Sequence, residues 1–261
     1  MNKKIKKILN KKNKSKIVCL TAYSKNIAEI LDKHCDLVLV GDSLGSVLYN
    51  YKSTKEVTLQ TMINHSKSVR LGVKKSLMVF DMPYNTYRSP QEALRNAKLV
   101  IKETKCDAVK LEGGSKIAPI VSYLIKNKVA VQGHLGILPQ VIRGKFRSKG
   151  KSENEKKQLL KDAKLLQDLG VFSIVLECVK AQTAKLITKA LKIPTIGIGS
   201  SSHCDGQILV TDDILGMSGF YPKFVKKYAD VNSIIEKAVK KYTKEVKSKI
   251  FPNNKNFLYG K

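Results

Sequence analysis

Three acids, a lysine, a histidine and a further glutamate stand in this chain at one kind of place, the C-terminal end of a short apolar run. Asp42 closes DLVLVGDS, Asp81 closes SLMVFDMP, Lys110 and Glu112 close DAVKLEGG, His134 closes VAVQGHLG, and Glu177 closes SIVLECV. Neighbouring strands of a sheet lie about 4.8 Å apart, so acids on successive strand ends fall within reach of one ion. That makes Asp42, Asp81 and Glu112 candidate metal ligands. All-oxygen ligation with room for water or substrate suits Mg²⁺ better than zinc, which prefers nitrogen and sulfur. Each acid taken singly reads as a helix cap or a loop brace; three in succession favour the metal.

Lys110 and Glu112 are two residues apart, so both side chains leave the strand on the same side. An unpaired charge buried there costs several kcal/mol, so Lys110 needs a partner, either Glu112 or a substrate carboxylate. Gly113 and Gly114 would let a ligand approach the backbone closely. His134 suits a metal ligand, an acid/base, a hydrogen-bond donor or a satisfied structural histidine. Glu177 has few cationic neighbours in sequence, and desolvation would raise its pKa toward that of a base working near neutral pH; the plain alternative is a loop-bracing glutamate. His34/Cys35 and His203/Cys204 lack a third ligand at useful spacing. A divalent metal, a lysine and a separate base together suit chelation of a 2-oxo acid, removal of the adjacent proton and stabilisation of the enolate. The electrophile is not written in the pattern.

The elements that must position these groups are eight apolar runs, the five above together with KIVCLTAY, PTIGIGSS and QILVTDD. Runs of aliphatic and β-branched residues without strict polar alternation suit parallel strands covered on both faces. Between them lie helical periodicities at Ser24–Lys33, Leu59–Leu71, Pro90–Glu103, Ile117–Lys126, Glu155–Leu169, Ala181–Ala190 and Asp212–Leu215. Alternating strand and helix leave a doubly wound sheet or a closed (β/α)8 TIM barrel. Chemistry at many strand ends favours the α/β barrel, whose site is built from the loops at the C-terminal face. Gly197-Ile198-Gly199 lacks the third glycine of a dinucleotide fingerprint and reads equally as an anion-holding loop or a simple turn. The 261 residues match one barrel domain, typically about 250 residues, and no linker interrupts them. A short basic helix within residues 1–16, with Ile5, Ile8 and Leu9 on one face, should pack on the bottom of the barrel. Ser233–Ile250 reads as an amphipathic helix with a Ser233/Glu236 capping box, closing the barrel or packing on a neighbouring subunit. The tail, residues 251–261, carries no pattern.

Lys and Arg number 49 against 21 Asp and Glu, a formal net charge of +28. The excess is nearly all Lys, spread along the chain with many Asn and Ile, as an AT-rich genome would favour. Arg is scarce, so no nucleic-acid partner is expected. The basic N-terminal segment lacks the apolar stretch of about 7 to 15 residues that a secretory signal needs. No run approaches the roughly 18 apolar residues of a membrane span, so no membrane partner is expected. Five scattered cysteines without a CxxC pair suit reduced thiols in the cytoplasm.

Several longer motifs then become recognisable. LTAY, VGDSLGSVLYNYKSTKEVTLQTMINH, DMPY, VKLEGG, GHLGILPQ, VLECV, IPTIGIG, CDGQILV and KFVKKYAD run in order between Ile17 and Pro252 and resemble the ketopantoate hydroxymethyltransferase family. The resemblance implies a (β/α)8 barrel, usually a decamer, dependent on Mg²⁺. It also implies transfer of a hydroxymethyl unit from 5,10-methylenetetrahydrofolate to 3-methyl-2-oxobutanoate. Carried onto matching positions, Asp42 and Asp81 ligate the metal with Glu112 nearby. Asp42, Ser43, Asp81 and Lys110 contact the oxo acid, His134 takes a substrate or supporting role, and Glu177 accepts the proton. Two stretches depart from the family pattern: residues 141–150 read VIRGKFRSKG where a glycine-rich loop is usual, and Ser200-Ser201 stand within the usual IGAG region. Other barrel enzymes that handle 2-oxo acid enolates, relatives of phosphoenolpyruvate mutase and isocitrate lyase, form the alternative enzyme class. A basic nucleic-acid-binding protein on an enzyme-like scaffold is the alternative of another class.

Overall fold

Each of the eight apolar runs forms a strand, and several serve two cores at once. The computed structural model describes residues 2–141, 147–219 and 221–253. The strands are β1 (Ile17–Thr21), β2 (Leu37–Val40), β3 (Leu77–Asp81), β4 (Ala108–Glu112), β5 (Val131–Gly136), β6 (Ser173–Glu177), β7 (Thr195–Ile198) and β8 (Gly206–Leu209). All pair in parallel in sequence order, and β8 returns to β1, closing the barrel. Closure excludes the doubly wound sheet. Along β3, Leu77 and Val79 join the lumen cluster while Met78 and Phe80 pack outward under the helices. Along β4, Ala108 faces inward while Val109 and Leu111 face outward. Side chains alternate with period two, and apolar residues occupy both faces below the charged strand ends; hence these runs show no polar alternation.

The helices are α1 (Lys3–Asn10), α2 (Lys25–Leu31), α3 (Leu44–Tyr49), α4 (Leu59–Gly72), α5 (Pro90–Thr104), α6 (Ala118–Lys126), α7 (Glu153–Leu169), α8 (Ala181–Ala190), α9 (Thr211–Ile214) and α10 (Val231–Lys247). α1 plugs the bottom of the barrel as its spacing predicts: Ile5 and Ile8 are buried in one cluster with Ile17, Leu37, Leu77 and Ala108. α5 begins as expected, with the Ser89 hydroxyl accepting the Glu92 N–H and Pro90 in the first turn. α7 starts two residues earlier than its periodicity suggests, because Ser152 caps it by accepting the Glu155 N–H at 3.2 Å. α3 is not among the helices expected from the sequence: it is six residues long and its N-cap Ser43 makes no side-chain capping bond.

Packing divides the chain into Met1–Val210, which holds the complete barrel, and Thr211–Lys261. In the second unit α10 is present but differently capped from the expectation. Asp230, not Ser233, is the cap; its carboxylate accepts the Ser233 N–H at 3.3 Å and the Ser233 hydroxyl at 2.6 Å. No residue of α10 is buried, and Ile235, Val239, Tyr242 and Val246 are exposed. Of the tail expected at residues 251–261, only 251–253 are among the described residues.

Candidate active site

Strand register assembles the site. Asp81 is the register partner of Lys110, and Glu112 that of His134. Lys110 Nζ lies 2.8 Å from Asp81 Oδ1 and 3.9 Å from Glu112 Oε1. Its close partner is therefore Asp81 rather than Glu112, because residues two apart along a strand are farther separated than lateral neighbours. His134 Nδ1 sits 3.2 Å from Lys110 Nζ and 3.5 Å from Glu112 Oε1, while its Nε2 is 3.2 Å from Glu177 Oε2. The Asp42 N–H donates to Asp81 Oδ2 at 3.3 Å. Asp42, Asp81, Lys110, Glu112 and His134 are each no more than 5 % exposed. Glu177 is the accessible member, its side chain 17 % exposed. Its few cationic neighbours in sequence are supplemented in space: His134, two residues before Gly136, the register partner of Glu177, reaches across to it.

Burial opposes every charge in this cluster, and the neighbours decide the outcome. Burial and then Asp81 push the Asp42 carboxyl well above the usual carboxylate range, with Lys110 and Gln140 pulling back. Burial also raises Asp81, opposed chiefly by Lys110. For Glu112 burial is outweighed by His134, Lys110 and the Gln140 N–H, which hold it below its ordinary value. Burial would lower Lys110, but Asp81, Glu112 and Asp42 carry it above its usual range. Burial and Lys110 would lower His134; Glu112 and Glu177 outweigh them and raise it to about 9.

The donor chemistry fits a divalent cation. Four carboxylates, Asp42, Asp81, Glu112 and Glu177, face two cations, Lys110 and protonated His134, leaving two negative charges when all are ionised. No three His, Cys, Asp or Glu side chains among the described residues converge into a metal cage. Mg²⁺ needs only one or two carboxylates, its other positions going to water and substrate, and the adjacent Asp42 and Asp81 meet that requirement. The expected third ligand, Glu112, is turned elsewhere: Oε2 accepts the Gln140 N–H at 3.1 Å and Oε1 faces His134.

The structure bears on two other expectations. Gly113 and Gly114 do not open the backbone to a ligand; a Cβ on Gly114 would lie 2.4 Å from Asp162 Oδ2 of α7, so the glycine admits the chain's own side chain. Ser200 and Ser201 form a turn: the Ser200 hydroxyl donates to the Val179 carbonyl at 3.0 Å, and Ser201 Oγ accepts the His203 N–H at 3.2 Å. In the other departing stretch, residues 142–146 lie outside the described residues. Ser43 is held by the Tyr23 hydroxyl at 2.8 Å, beside Asp42. Gly136, with φ 102°, ends β5 where a Cβ would meet the Glu177 carbonyl at 2.2 Å, so only glycine lets these two strands carry His134 and Glu177 so close together. The residue that sequence reasoning passed over is Gln140, buried in the loop after β5 and bonded to Asp42 and Glu112. Its only signal was its place in GHLGILPQ.

The barrel is similar in fold to that of 2,3-dimethylmalate lyase, described as a PEP mutase/isocitrate lyase superfamily member. That structure superposes with a TM-score of 0.60 at 13 % identity, covering 98 % of this chain and 92 % of the other. This likeness defines the fold, which the alternative enzyme class shares. The sequence is more specific: the profile of the ketopantoate hydroxymethyltransferase family matches residues 2–254, and the chain belongs to that family. A 3-methyl-2-oxobutanoate hydroxymethyltransferase from Pelagibacter ubique (strain HTCC1062) is 61 % identical over 256 residues, 98 % of this chain and 99 % of the relative. One from Anaplasma marginale (strain Florida) is 46 % identical over 248 residues, covering 94 % and 90 %.

Proposed function

We infer that the chain transfers a hydroxymethyl group to 3-methyl-2-oxobutanoate, with 5,10-methylenetetrahydrofolate as donor and Mg²⁺ as cofactor, forming 2-dehydropantoate for pantothenate synthesis. The observation that carries this reading is the buried cluster whose carboxylates outnumber its cations by two, with the accessible Glu177 at its edge. Asp42 and Asp81 would hold the cation, and Glu112 would reach it through water. A bound divalent cation supplies Lewis-acid polarisation of the keto oxygen and charge for the substrate carboxylate.

The chain's own groups do the rest. Ser43, steadied by Tyr23, donates to the oxo acid, and Lys110 adds positive charge beside its carboxylate. Glu177 takes the proton from C3, and His134 at 3.2 Å orients that carboxylate and balances its charge. The resulting carbon nucleophile forms the new C–C bond to the methylene carbon, whose two C–N bonds to the folate break; water supplies the hydroxyl, and tetrahydrofolate leaves carrying a proton from water and the equivalent of the one Glu177 took from C3. The exposed stripe of α10, with Val239 and Tyr242 at its centre, supports assembly of copies into a homo-oligomer, the decamer being the family's form. Five unpaired cysteines suit a cytoplasmic setting, and the partners are small molecules rather than nucleic acid or membrane.

The test is direct. Purified protein, Mg²⁺, 3-methyl-2-oxobutanoate and methylenetetrahydrofolate should yield 2-dehydropantoate by mass spectrometry, and omitting the folate or adding a chelator should abolish it. Product formed from formaldehyde at the same rate without folate would refute the donor; no product under any condition would refute the reaction.

A further inference from the structure

Gln140 bonds two acids of the cluster, Asp42 and Glu112, without being assigned to it. Its side-chain amide donates to Asp42 Oδ2 at 2.9 Å and to the Met82 carbonyl at 3.0 Å, while its oxygen accepts the Tyr87 hydroxyl. Its backbone N–H donates to Glu112 Oε2 at 3.1 Å. One loop residue thus ties the ends of β2, β3 and β4 together. Gln140 is 1 % exposed. A carbonyl can only accept, so Met82 fixes which end of the amide is nitrogen; the amide oxygen then faces Tyr87, and the second N–H has Asp42 as its acceptor. Every donor and acceptor of the amide is used, and the group has no second orientation available.

The bond is also one-sided. Gln140 occupies Asp42 Oδ2, and no hydrogen bond to Asp42 Oδ1 accompanies it among the described residues. A carboxylate held by one oxygen presents the other in a set direction, which is how outer partners orient metal ligands. Glu112 is treated the same way from the same residue: the Gln140 N–H holds Oε2, and Oε1 is turned to His134 and Lys110.

We propose that Gln140, locked by Tyr87, is the positioning residue of the cation seat: it fixes the Asp42 carboxylate for the metal and holds Glu112 aside, toward His134. This rests on the function proposed above and adds to it a link between the loop after β5 and the acids of β2 and β4. Gln140 acts through other side chains and needs no contact with substrate.

Titration with Mn²⁺ alone, read from the free-ion electron paramagnetic resonance signal, tests it on wild type, Gln140→Leu, Tyr87→Phe and the double variant, with thermal melting by circular dichroism as a check on folding. Gln140→Leu should weaken Mn²⁺ binding about 10- to 100-fold, the range found when an outer partner of a metal ligand is lost. Tyr87→Phe should weaken it about 2- to 10-fold, as loss of one hydrogen bond allows. The double variant should be no weaker than Gln140→Leu, since the hydroxyl acts only through the amide. Wild-type affinity in folded Gln140→Leu overturns the proposal and leaves the proposed reaction standing. Should that variant not fold, Tyr87→Phe decides, unchanged affinity overturning the proposal. Wild type that binds no Mn²⁺ overturns the metal reading and this proposal together.

Discussion

At the floor of the barrel, Asp107 accepts the Met78 N–H at 3.0 Å and the Asn2 amide at 2.8 Å, Asp32 accepts the N–H groups of Lys75 and Ser76, and Asp205 accepts the Thr195 N–H while pairing with Lys12 at 2.8 Å. At the mouth, Asp42, Asp81, Glu112 and Glu177 crowd around Lys110 and His134 and mostly face one another's charge. Both ends bury acids, yet only the floor satisfies each one locally. The consequence is visible in protonation: burial would raise Asp32, but backbone N–H groups outweigh it and hold the carboxyl below its ordinary value, whereas burial and Asp81 drive Asp42 up. An acid whose lone pairs are used by backbone N–H groups is a fastener. Acids left in surplus, buried beside the partly exposed Glu177, are prepared for a cation and a substrate.

That contrast can be broken by experiment. Glu177→Gln should slow exchange of the C3 proton of 3-methyl-2-oxobutanoate by about 10²- to 10⁴-fold, with folding intact, because the removed group is the base; full exchange, followed by NMR in D₂O, would move that role to another residue. Asp81→Ala and Asp205→Ala each remove the nearest carboxylate of a buried lysine and should each cost up to about 3–5 kcal/mol in urea unfolding. Only Asp81→Ala should also abolish Mn²⁺-dependent binding of the oxo acid by calorimetry; the same loss in Asp205→Ala would erase the distinction between the two ends.

The smallest effect sharpens the comparison through pH. His134 should titrate near 9 by ¹³C NMR, above its unfolded value of 6.5. A raised cationic group contributes stability that is fully present below the unfolded pKa and is lost as pH rises through the folded one. Stability should therefore decline between about pH 6.5 and 9 through His134, whereas the contribution of Asp32, lowered in the fold, is present above its unfolded pKa and disappears only in acid. Titration of His134 near 6.5 would mean that Glu112 and Glu177 do not hold its proton.

Much of this was legible in the chain. The eight strands follow from apolar runs, α8 has the boundaries its periodicity indicates, and α1 seats Ile5 and Ile8 beneath the barrel. α3 was not singled out, being six residues long and lacking a side-chain cap, although Leu44, Val47 and Leu48 stand at helical spacing. Asp230 displaced Ser233 as the cap of α10 because a carboxylate one turn earlier accepts both the hydroxyl and the N–H of Ser233.

For the site, residue types and strand positions were enough to nominate Asp42, Asp81, Lys110, Glu112, His134 and Glu177, since chemistry collects where parallel strands end. Which of them meet was a matter of lateral register: Asp81 beside Lys110, and His134 between Glu112 and Glu177, are contacts across strands whose order and offset no local pattern encodes. Gln140 shows the limit most clearly. An uncharged amide after a proline carries no signal of its own, and its bond to Asp42 spans 98 positions. The amino-acid sequence by itself determined the eightfold repeat and the inventory of charges at one end. Tertiary structure decided the pairing, because ion pairs and hydrogen bonds form only over a few ångströms and only barrel closure brings residues so distant in sequence within that range.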